Sequence, residues 1–364
     1  MLTLDDKYIA VIHGILNMAL QRSIVMDRWT KTVTTLLEKR TGSPFIHKFR
    51  TIHIVEGDLQ FIARYFYAHK MITNAEKQGL IGDEQYGGRR NRMAQSVVLN
   101  KLSYYNISHQ LQMSCAFMDD DARACYDRIV TCLSSAECRK WGISYKVAKF
   151  TNEFIESQKY HVRSAYGISS DSYSFREDSP TQGSGQGLSW AGPRWTNTGN
   201  TICSVMKKTN TGMTFTDPTG TITVEKTADL FVDDTATGVT GNNIHDGRTA
   251  LEHLQCDEQK HAYLLYASGH LLALYKCIFY YYQFKLKGTK FVHTSVEETP
   301  GELLLKPKHD GHIESIRRLE PDETHRTLGC FISISNNQKK TVRNDERYNK
   351  RLGEKNSIFT TKQF

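Results

Sequence analysis

The 364-residue sequence lacks several features that would assign it to a common class of protein. Its eight cysteines include no Cys-x-x-Cys pair and no regular spacing, which argues against a zinc ribbon and against a disulfide scaffold. The most apolar stretch, residues 271–284, contains Lys276 and is too short to span a bilayer. Asp5 and Asp6 stand where a signal peptide would be basic. We therefore expect an intracellular protein, cytoplasmic or nuclear, with no membrane partner.

Linkers, repeats and several catalytic motifs are also missing. No Pro- or Gly-rich segment divides the chain, so we expect its subdomains to be interleaved. The glycine-rich residues 183–187 are not a P-loop, because no Lys-Ser or Lys-Thr follows them. The sequence contains no Gly-x-Ser-x-Gly elbow. His309 and His312 have no matching cysteines, which disfavours a metal site there.

The composition is that of a globular protein, with 39% hydrophobic and 24% charged residues. The chain is long enough for two or three subdomains around a sizeable core. Its net charge of +8 is weak evidence for a polyanionic partner. Residues 336–364 concentrate that charge, with eight Lys or Arg against three Asp or Glu. Such a segment is either a solvated tail or a surface that contacts phosphates.

Apolar periodicity and turn residues predict a mixture of helices and strands. Helical spacing is found in six segments, at 7–25, 59–78, 93–111, 124–133, 192–206 and 247–275. Strand patterns are found at 45–56, 115–118, 213–224, 228–240, 277–286 and 327–335. Residues 159–187 have the composition of a hairpin followed by a loop.

Two acidic clusters each follow an apolar strand. The first is Asp119-Asp120-Asp121, and the second is Asp233-Asp234 in the hairpin-like context Phe-Val-Asp-Asp. Asp-Asp pairs are also common in solvated turns, so neither cluster is decisive alone. Mg²⁺ prefers carboxylate oxygens. Two strand-end carboxylate groups brought together could therefore hold a pair of ions for in-line phosphoryl transfer.

The order of these elements resembles the palm of reverse transcriptases, especially those of non-LTR retrotransposons. That family has an aromatic residue five positions after its first catalytic aspartate, a Gln-Gly loop, and an aromatic-x-Asp-Asp hairpin. Tyr126 lies five positions after Asp121, and Gln186-Gly187 precedes the second acidic cluster. The resemblance implies that Asp121, Asp233 and Asp234 are catalytic and bind metal. Asp119 has the same strand parity as Asp121 and stays the alternative.

Further elements match the family in the expected order. The resemblance implies that six residues contact the incoming nucleotide, namely Lys48, Arg50, Tyr126, Gln186, Gly187 and Lys276. It implies that five others contact template or primer, namely Arg89, Arg90, Arg92, Leu328 and Gly329. Arginine suits phosphates because its planar fork can bind two oxygens. A ring at the position of Tyr126 would exclude a 2′-hydroxyl and so select deoxynucleotides.

The resemblance implies an α+β right-hand polymerase fold, with a ferredoxin-like antiparallel palm sheet packed on helices and a short or missing thumb. Residues 1–114 would form the fingers with an N-terminal helical extension. Residues 115–335 would form the palm, with 134–178 returning to the fingers. Residues 336–364 would be a basic tail or the start of a thumb.

The implied activity is that of an RNA-directed DNA polymerase, encoded within a retrotransposon polyprotein whose other domains are further partners. It would use two Mg²⁺ ions, with Mn²⁺ as an alternative, an RNA template, a DNA or RNA primer, and deoxynucleoside triphosphates. One rival is a viral-type RNA-dependent RNA polymerase, which usually has Gly before the Asp-Asp pair where this chain has Val232. Another is a nucleic-acid-binding remnant without catalysis.

Overall fold

A computed structural model describes residues 5–39, 42, 45, 48–175, 182–241 and 247–335. The basic tail predicted at 336–364 lies outside these residues. The described chain forms two compact units, each built from separate segments. The first unit comprises residues 5–82, 124–201 and 267–270, and the second comprises 83–123, 202–266 and 271–335.

The α-helices, numbered in chain order, are α1 (Asp6–Arg22), α2 (Gly57–Ala63), α3 (Ile72–Lys77), α4 (Ala94–Leu111), α5 (Thr131–Lys140), α6 (Tyr145–Glu156), α7 (Ala191–Thr209) and α8 (Ala250–Ala267). A π-helical segment, Arg64–Met71, joins α2 to α3. Short 3₁₀ turns occupy Asp27–Thr30, Cys125–Arg128 and Leu274–Lys276. Within the described residues, no helix has both the length and the apolar character needed to cross a bilayer.

The longer strands are β1 (Lys31–Glu38), β2 (Phe49–Ile54), β3 (Cys115–Asp121), β4 (Lys159–Ser164), β9 (Asp234–Thr240) and β10 (Ile278–Tyr282). The shorter ones, of two to four residues, are β5 (Gly167–Ile168), β6 (Met213–Thr216), β7 (Thr223–Lys226), β8 (Ala228–Phe231), β11 (Phe284–Lys287), β12 (Lys290–His293), β13 (Leu304–Leu305), β14 (Glu314–Ser315), β15 (Arg317–Arg318), β16 (His325–Thr327) and β17 (Cys330–Ile332). This mixture confirms the predicted α+β class.

The first unit is a four-stranded sheet with an aromatic core beside it. The sheet has the order β2-β1-β4-β5, in which only the β1–β4 pair is parallel. The core contains Trp29, Phe150 and Trp190, all fully buried. The rings of Trp29 and Phe150 meet edge to face, with centroids 5.8 Å apart, a geometry that aromatic pairs prefer.

The second unit contains a five-stranded sheet of order β15-β10-β3-β9-β8, with β3 in the centre. Its neighbours β9 and β10 both pair with β3 in antiparallel fashion. Side chains alternate along β3, so Phe117 packs against Tyr105 of α4 while Asp120 faces His261 of α8 on the other side. The acidic end of β3 therefore offers two different environments on its two faces.

Most of the predicted elements are present, but several differ. The helix predicted at 124–133 is instead a 3₁₀ turn followed by α5. The strands predicted at 213–224 and 228–240 are each a hairpin, formed by β6 with β7 and by β8 with β9. The helix predicted at 247–275 ends at Ala267, before Gly269 at φ +90°. The division into fingers and palm stays a prediction.

Candidate active site

Strand pairing in the second unit brings the two acidic clusters together. In the antiparallel register of β3 and β9, Asp121 lies opposite Asp234. The amide of Ala122 donates a hydrogen bond of 2.9 Å to the carbonyl of Asp233, which extends the pairing into the turn. Asp121 and Asp234 are half-buried. The three aspartates predicted to be catalytic thus share one end of the sheet.

The turn between β8 and β9 holds an uncommon backbone conformation. Val232 has φ +59°, in the left-handed region that β-branched residues rarely adopt. The backbone of Gly87 approaches this turn so closely that a Cβ there would clash with the amide nitrogen of Val232. Backbone hydrogen bonds also join Leu230 to Glu84 and Tyr86. The segment containing Gly87 therefore supports the turn that carries Asp233.

Lys276 lies directly on the predicted catalytic aspartate. Its Nζ is 2.7 Å from Oδ1 and 2.8 Å from Oδ2 of Asp121. The lysine side chain is 47% exposed, whereas that of Asp121 is 19% exposed. Hydrogen bonding to Asp121 and its charge raise the pKa of Lys276 although burial lowers it. The pair places a cation at the position where the sequence predicts nucleotide contact.

The negative charges at this end of the sheet repel one another. Burial raises the pKa of Asp234 to about 7, and the charges of Asp233, Asp121 and Asp119 add to the effect. Like-charged carboxylates disfavour one another's ionisation, and an opposite charge between them removes that cost. The cluster is therefore suited to a cation.

Asp119 is engaged in a separate ion cluster. Lys101 of α4 donates to both of its carboxylate oxygens at 2.5 Å, and His325 contacts Oδ2. Lys101 is also 3.3 Å from the hydroxyl of Thr327. Although burial opposes ionisation, the charges of Lys101 and His325 hold the pKa of Asp119 well below its usual range. Both Asp119 and Asp121 are paired with a lysine, but Lys101 is 4% exposed and Lys276 is 47% exposed, so Asp121 is the carboxylate that can more readily exchange its lysine for a metal ion.

Neither Lys101 nor His325 was predicted from the sequence to belong to the site. A lysine within the apolar stripe of α4 was the available signal, since a buried lysine needs a partner. The sequence could not identify Asp119 as that partner, because the contact depends on how α4 packs on β3, and His325 reaches the same carboxylate from a segment far along the chain.

The residues at the sheet end fit a divalent cation by their chemistry. Asp121, Asp233 and Asp234 supply the hard oxygen donors that Mg²⁺ prefers. The carboxylate oxygens of these three aspartates are not all within 4.8 Å of one another. Among the described residues, the one group of three possible ligands that meets this distance is Asp120, Glu258 and His261. Metal binding at the predicted site would therefore require the carboxylates to turn toward a common centre, with Lys276 moving aside.

The predicted template contacts lie beside Gly87 in the second unit. Arg89 donates to the carbonyl of Gln85 at 3.0 Å, and Arg92 lies over the ring of Tyr86 at 5.2 Å. Arg90 is exposed. The three arginines precede α4 and do not belong to it.

The predicted primer contacts lie in the hairpin of β16 and β17. Leu328 and Gly329 form its turn, with φ +46° and +92°. Leu328 is partly buried against the core of the second unit. The hairpin begins at His325, the residue that contacts Asp119.

Three predicted nucleotide contacts meet in the first unit. The carbonyl of Tyr126 accepts from the amide of Ser184 at 2.8 Å, and the carbonyl of Gln186 accepts from the amide of His53 at 2.7 Å. Gly187 has φ +105°, and a Cβ there would lie 2.6 Å from the carbonyl oxygen of His53. Only glycine fits that position. The loop is therefore fixed to β2, the strand of Arg50.

Lys48 and Arg50 are the other predicted nucleotide contacts in this unit. Arg50 lies on β2, and Lys48 immediately precedes the strand. Both side chains are exposed. Because Lys48 lies outside β2, strand alternation does not fix its side chain on the face of Arg50.

No protein-family model and no curated protein matches the sequence. Among solved structures, a Candida tropicalis telomerase in complex with a TWJ fragment of telomeric RNA is similar, with 14% identity, a TM-score of 0.44, and coverage of 73% of this chain and 44% of that one. The corresponding complex from Candida albicans has 12% identity, a TM-score of 0.42, and coverages of 72% and 43%. An apo Candida tropicalis telomerase truncated from its C-terminal domain has 17% identity, a TM-score of 0.43, and coverages of 77% and 58%. The chain thus spans about half the length of these telomerase chains, and similarities this weak do not assign it to a family.

Proposed function

We propose that this chain is an RNA-directed DNA polymerase with a right-hand polymerase fold, derived from a retrotransposon polyprotein. The observation that carries the proposal is the pairing of β3 with β9. That pairing sets Asp121 opposite Asp234 and beside the turn of Asp233. It supports a carboxylate cluster of the kind that two-metal nucleotidyl transfer requires.

In this proposal Asp121, Asp233 and Asp234 hold two Mg²⁺ ions, or Mn²⁺ in their place. Bound there, the ions would lower the pKa of the attacking hydroxyl and neutralise charge on the leaving pyrophosphate. Lys276 leaves Asp121 as the ions bind, and its ammonium is then free to donate a proton to pyrophosphate. Its 47% exposure is consistent with such a movement.

The first unit would select the nucleotide. Lys48 and Arg50 bind the triphosphate, since both are exposed cations at one strand. Tyr126 excludes a 2′-hydroxyl, while Gln186 and Gly187 lie along the sugar and the nascent base pair. The backbone hydrogen bonds that fix the glycine-rich loop to β2 support such a rigid wall.

The second unit would hold the nucleic acid. Backbone phosphates of the RNA template are contacted by Arg89, Arg90 and Arg92. Contacts to phosphates carry no sequence information directly. Leu328 and Gly329 contact the primer through the hairpin turn. The duplex is recognised by its A-form shape and phosphates, so template sequence should matter little.

The test is primer extension on an RNA template with Mg²⁺, comparing deoxynucleotides with ribonucleotides. Wild type, Asp233→Asn and Asp310→Asn are measured side by side. Asp310 is an exposed loop aspartate outside the cluster, so its variant controls for loss of a carboxylate. We expect deoxynucleotide extension by wild type and Asp310→Asn. We expect losses of about 10²-fold or more in Asp233→Asn, with folding retained by circular dichroism.

Each other outcome has a definite meaning. Extension with ribonucleotides only would replace the proposal by an RNA-dependent RNA polymerase. Template binding with no extension by any variant would indicate a remnant without catalysis. Undiminished extension by Asp233→Asn would remove Asp233 from the metal-binding set.

A further inference from the structure

A second ligand cluster lies on the face of β3 that does not carry Asp121. It consists of Asp120 on β3 together with Glu258 and His261 on α8. All three side chains are buried, with exposures of 3%, 0% and 3%. Glu258 and His261 are three positions apart, so they project from one side of the helix. The cluster takes no part in the proposed polymerase chemistry, and its ligands are independent of that chemistry.

The three ligand atoms lie within 4.8 Å of one another, and two of the distances between them are close to those of a tetrahedral metal site. His261 Nδ1 is 3.1 Å from Asp120 Oδ2 and 3.4 Å from Glu258 Oε2. Zinc bonds of about 2.0–2.1 Å place neighbouring tetrahedral ligands about 3.3 Å apart. A single ring N–H cannot be directed well at both carboxylates at once. A cation between the three atoms would satisfy all of them together.

One oxygen of the cluster has no partner. Asp120 Oδ1 is buried and makes no hydrogen bond. A buried acceptor costs free energy unless it accepts a hydrogen bond, and the cost is greatest when the acceptor is charged. Within the same carboxylate, Oδ2 already faces His261. A cation bound at the cluster would therefore also satisfy Oδ1.

The charges favour the same conclusion. Asp120 and Glu258 are two carboxylates in the protein interior. Beside His261, the neutral hydroxyl of Thr237 donates a hydrogen bond of 2.5 Å to Glu258. A divalent ion with a neutral imidazole makes the group electrically neutral. A nitrogen ligand favours zinc over Mg²⁺, which prefers oxygen.

We propose that Asp120, Glu258 and His261 form a structural zinc site that joins α8 to the central strand β3. The ligands are completely buried, which is typical of closed structural sites. Because Asp120 precedes Asp121, the bound ion would fix the strand at the residue before the proposed catalytic aspartate.

The direct test is the metal content of the purified full chain, measured by mass spectrometry, with Co²⁺ replacement followed by visible spectroscopy. We expect about one zinc per chain and the absorption bands of tetrahedral cobalt. Glu258→Gln and His261→Gln should lose both signals. His253→Gln is the matched control, because His253 is a buried histidine of α8 that bonds Thr211 instead. Asp233→Asn should also keep its zinc.

A measurement on wild type alone guards against variants that fail to fold. Removing metal with a chelator should lower Tm by several degrees, and zinc should restore it, because a ligand that binds the folded state stabilises it. Mg²⁺ should not restore it. Wild type with zinc far below one per chain, no cobalt bands and an unchanged Tm would overturn the proposal. Equal zinc in wild type and both ligand variants would overturn it as well.

Discussion

Replacing Lys101 by methionine should strongly destabilise the second unit. Lys101 is 4% exposed in its side chain and bonds both oxygens of Asp119, which is 18% exposed. Breaking a buried ion pair by removing one partner costs about 3–5 kcal/mol, because the other charge is left uncompensated. His325 still contacts Asp119, so we expect a loss near the lower end of that range. Methionine keeps the volume of the lysine stem, which limits any cavity term.

A double-mutant cycle isolates the charge interaction. Lys101→Met, Asp119→Asn and the double variant are compared by urea unfolding with wild type. The double variant buries neither charge, so its loss should be smaller than the sum of the single losses by about 2 kcal/mol. Lys149→Met is the control, because its pair with Glu153 is exposed and should contribute only about 0.3–0.5 kcal/mol.

The result that would refute this reasoning is an additive cycle, or a loss below about 1 kcal/mol for Lys101→Met. Either would mean that water reaches the cluster and screens its charges. The same variants also separate structure from chemistry at the sheet end. If Asp119 is structural and Asp121 binds metal, the double variant should keep primer extension in Mg²⁺, while Asp121→Asn should lose it.

Three further predictions follow from single positions. Val232→Gly should raise the free energy of unfolding by about 0.5–1 kcal/mol in urea, because relief of left-handed strain exceeds the added backbone entropy, whereas Val232→Ala should give no such gain. Lys276→Met should lower the Mg²⁺ concentration for half-saturation, measured by calorimetry, by about 1.5- to 5-fold, because the ion no longer displaces a half-exposed ammonium from Asp121. Lys276→Arg keeps the positive charge and is the control, so it should give no such decrease. An unchanged midpoint in both variants would contradict a role for that charge. Burial and the charge of Arg128 lower the pKa of His270 to about 4, whereas the pKa of a histidine in the unfolded chain is about 6.5. The folded state holds His270 neutral, so its stabilisation is complete above pH 6.5 and is lost as the pH falls toward 4. Wild type should therefore lose about 2 kcal/mol more than His270→Gln between pH 7 and pH 5, and parallel pH profiles would contradict this.

The sequence predicted the acidic sheet end because its signals are local. Apolar strands run directly into Asp121 and into the Asp233-Asp234 turn, and hairpin chemistry places the latter at a tip. The pairing of β3 with β9 then completes the arrangement. The catalytic and metal-binding roles of these residues stay predictions.

Non-local hydrogen bonds explain where the sequence predictions were wrong. The segment after Ala124 has helical composition, yet the carbonyls of Tyr126 and Ile129 accept from the amides of Ser184 and Gly183. Those bonds replace the helical ones, and α5 begins only at Thr131. Local propensity cannot anticipate partners from a loop so distant in sequence.

Strand β1 was not predicted for a related reason. Its pattern of alternating threonine and apolar residues is short and mostly polar, and Thr32 and Thr34 are nevertheless buried. Their burial depends on a parallel partner, β4, whose register no local feature of β1 specifies. The buried groups around Asp119 and Asp120 were missed in the same way, because each draws on elements that only the tertiary structure brings together.

The discontinuous build of both units has a consequence for synthesis. In the first unit, β1 can pair with β4 only after Lys159–Ser164 has been synthesised. In the second unit, β3 can pair fully only after β9 and then β10, Ile278–Tyr282, have been synthesised. A nascent chain therefore leaves the ribosome with its central strands unpaired over long stretches of translation. Such intermediates expose apolar edges and fold slowly, which makes them clients for chaperones and prone to aggregate on overexpression. Slower translation or reduced temperature should therefore improve the soluble yield.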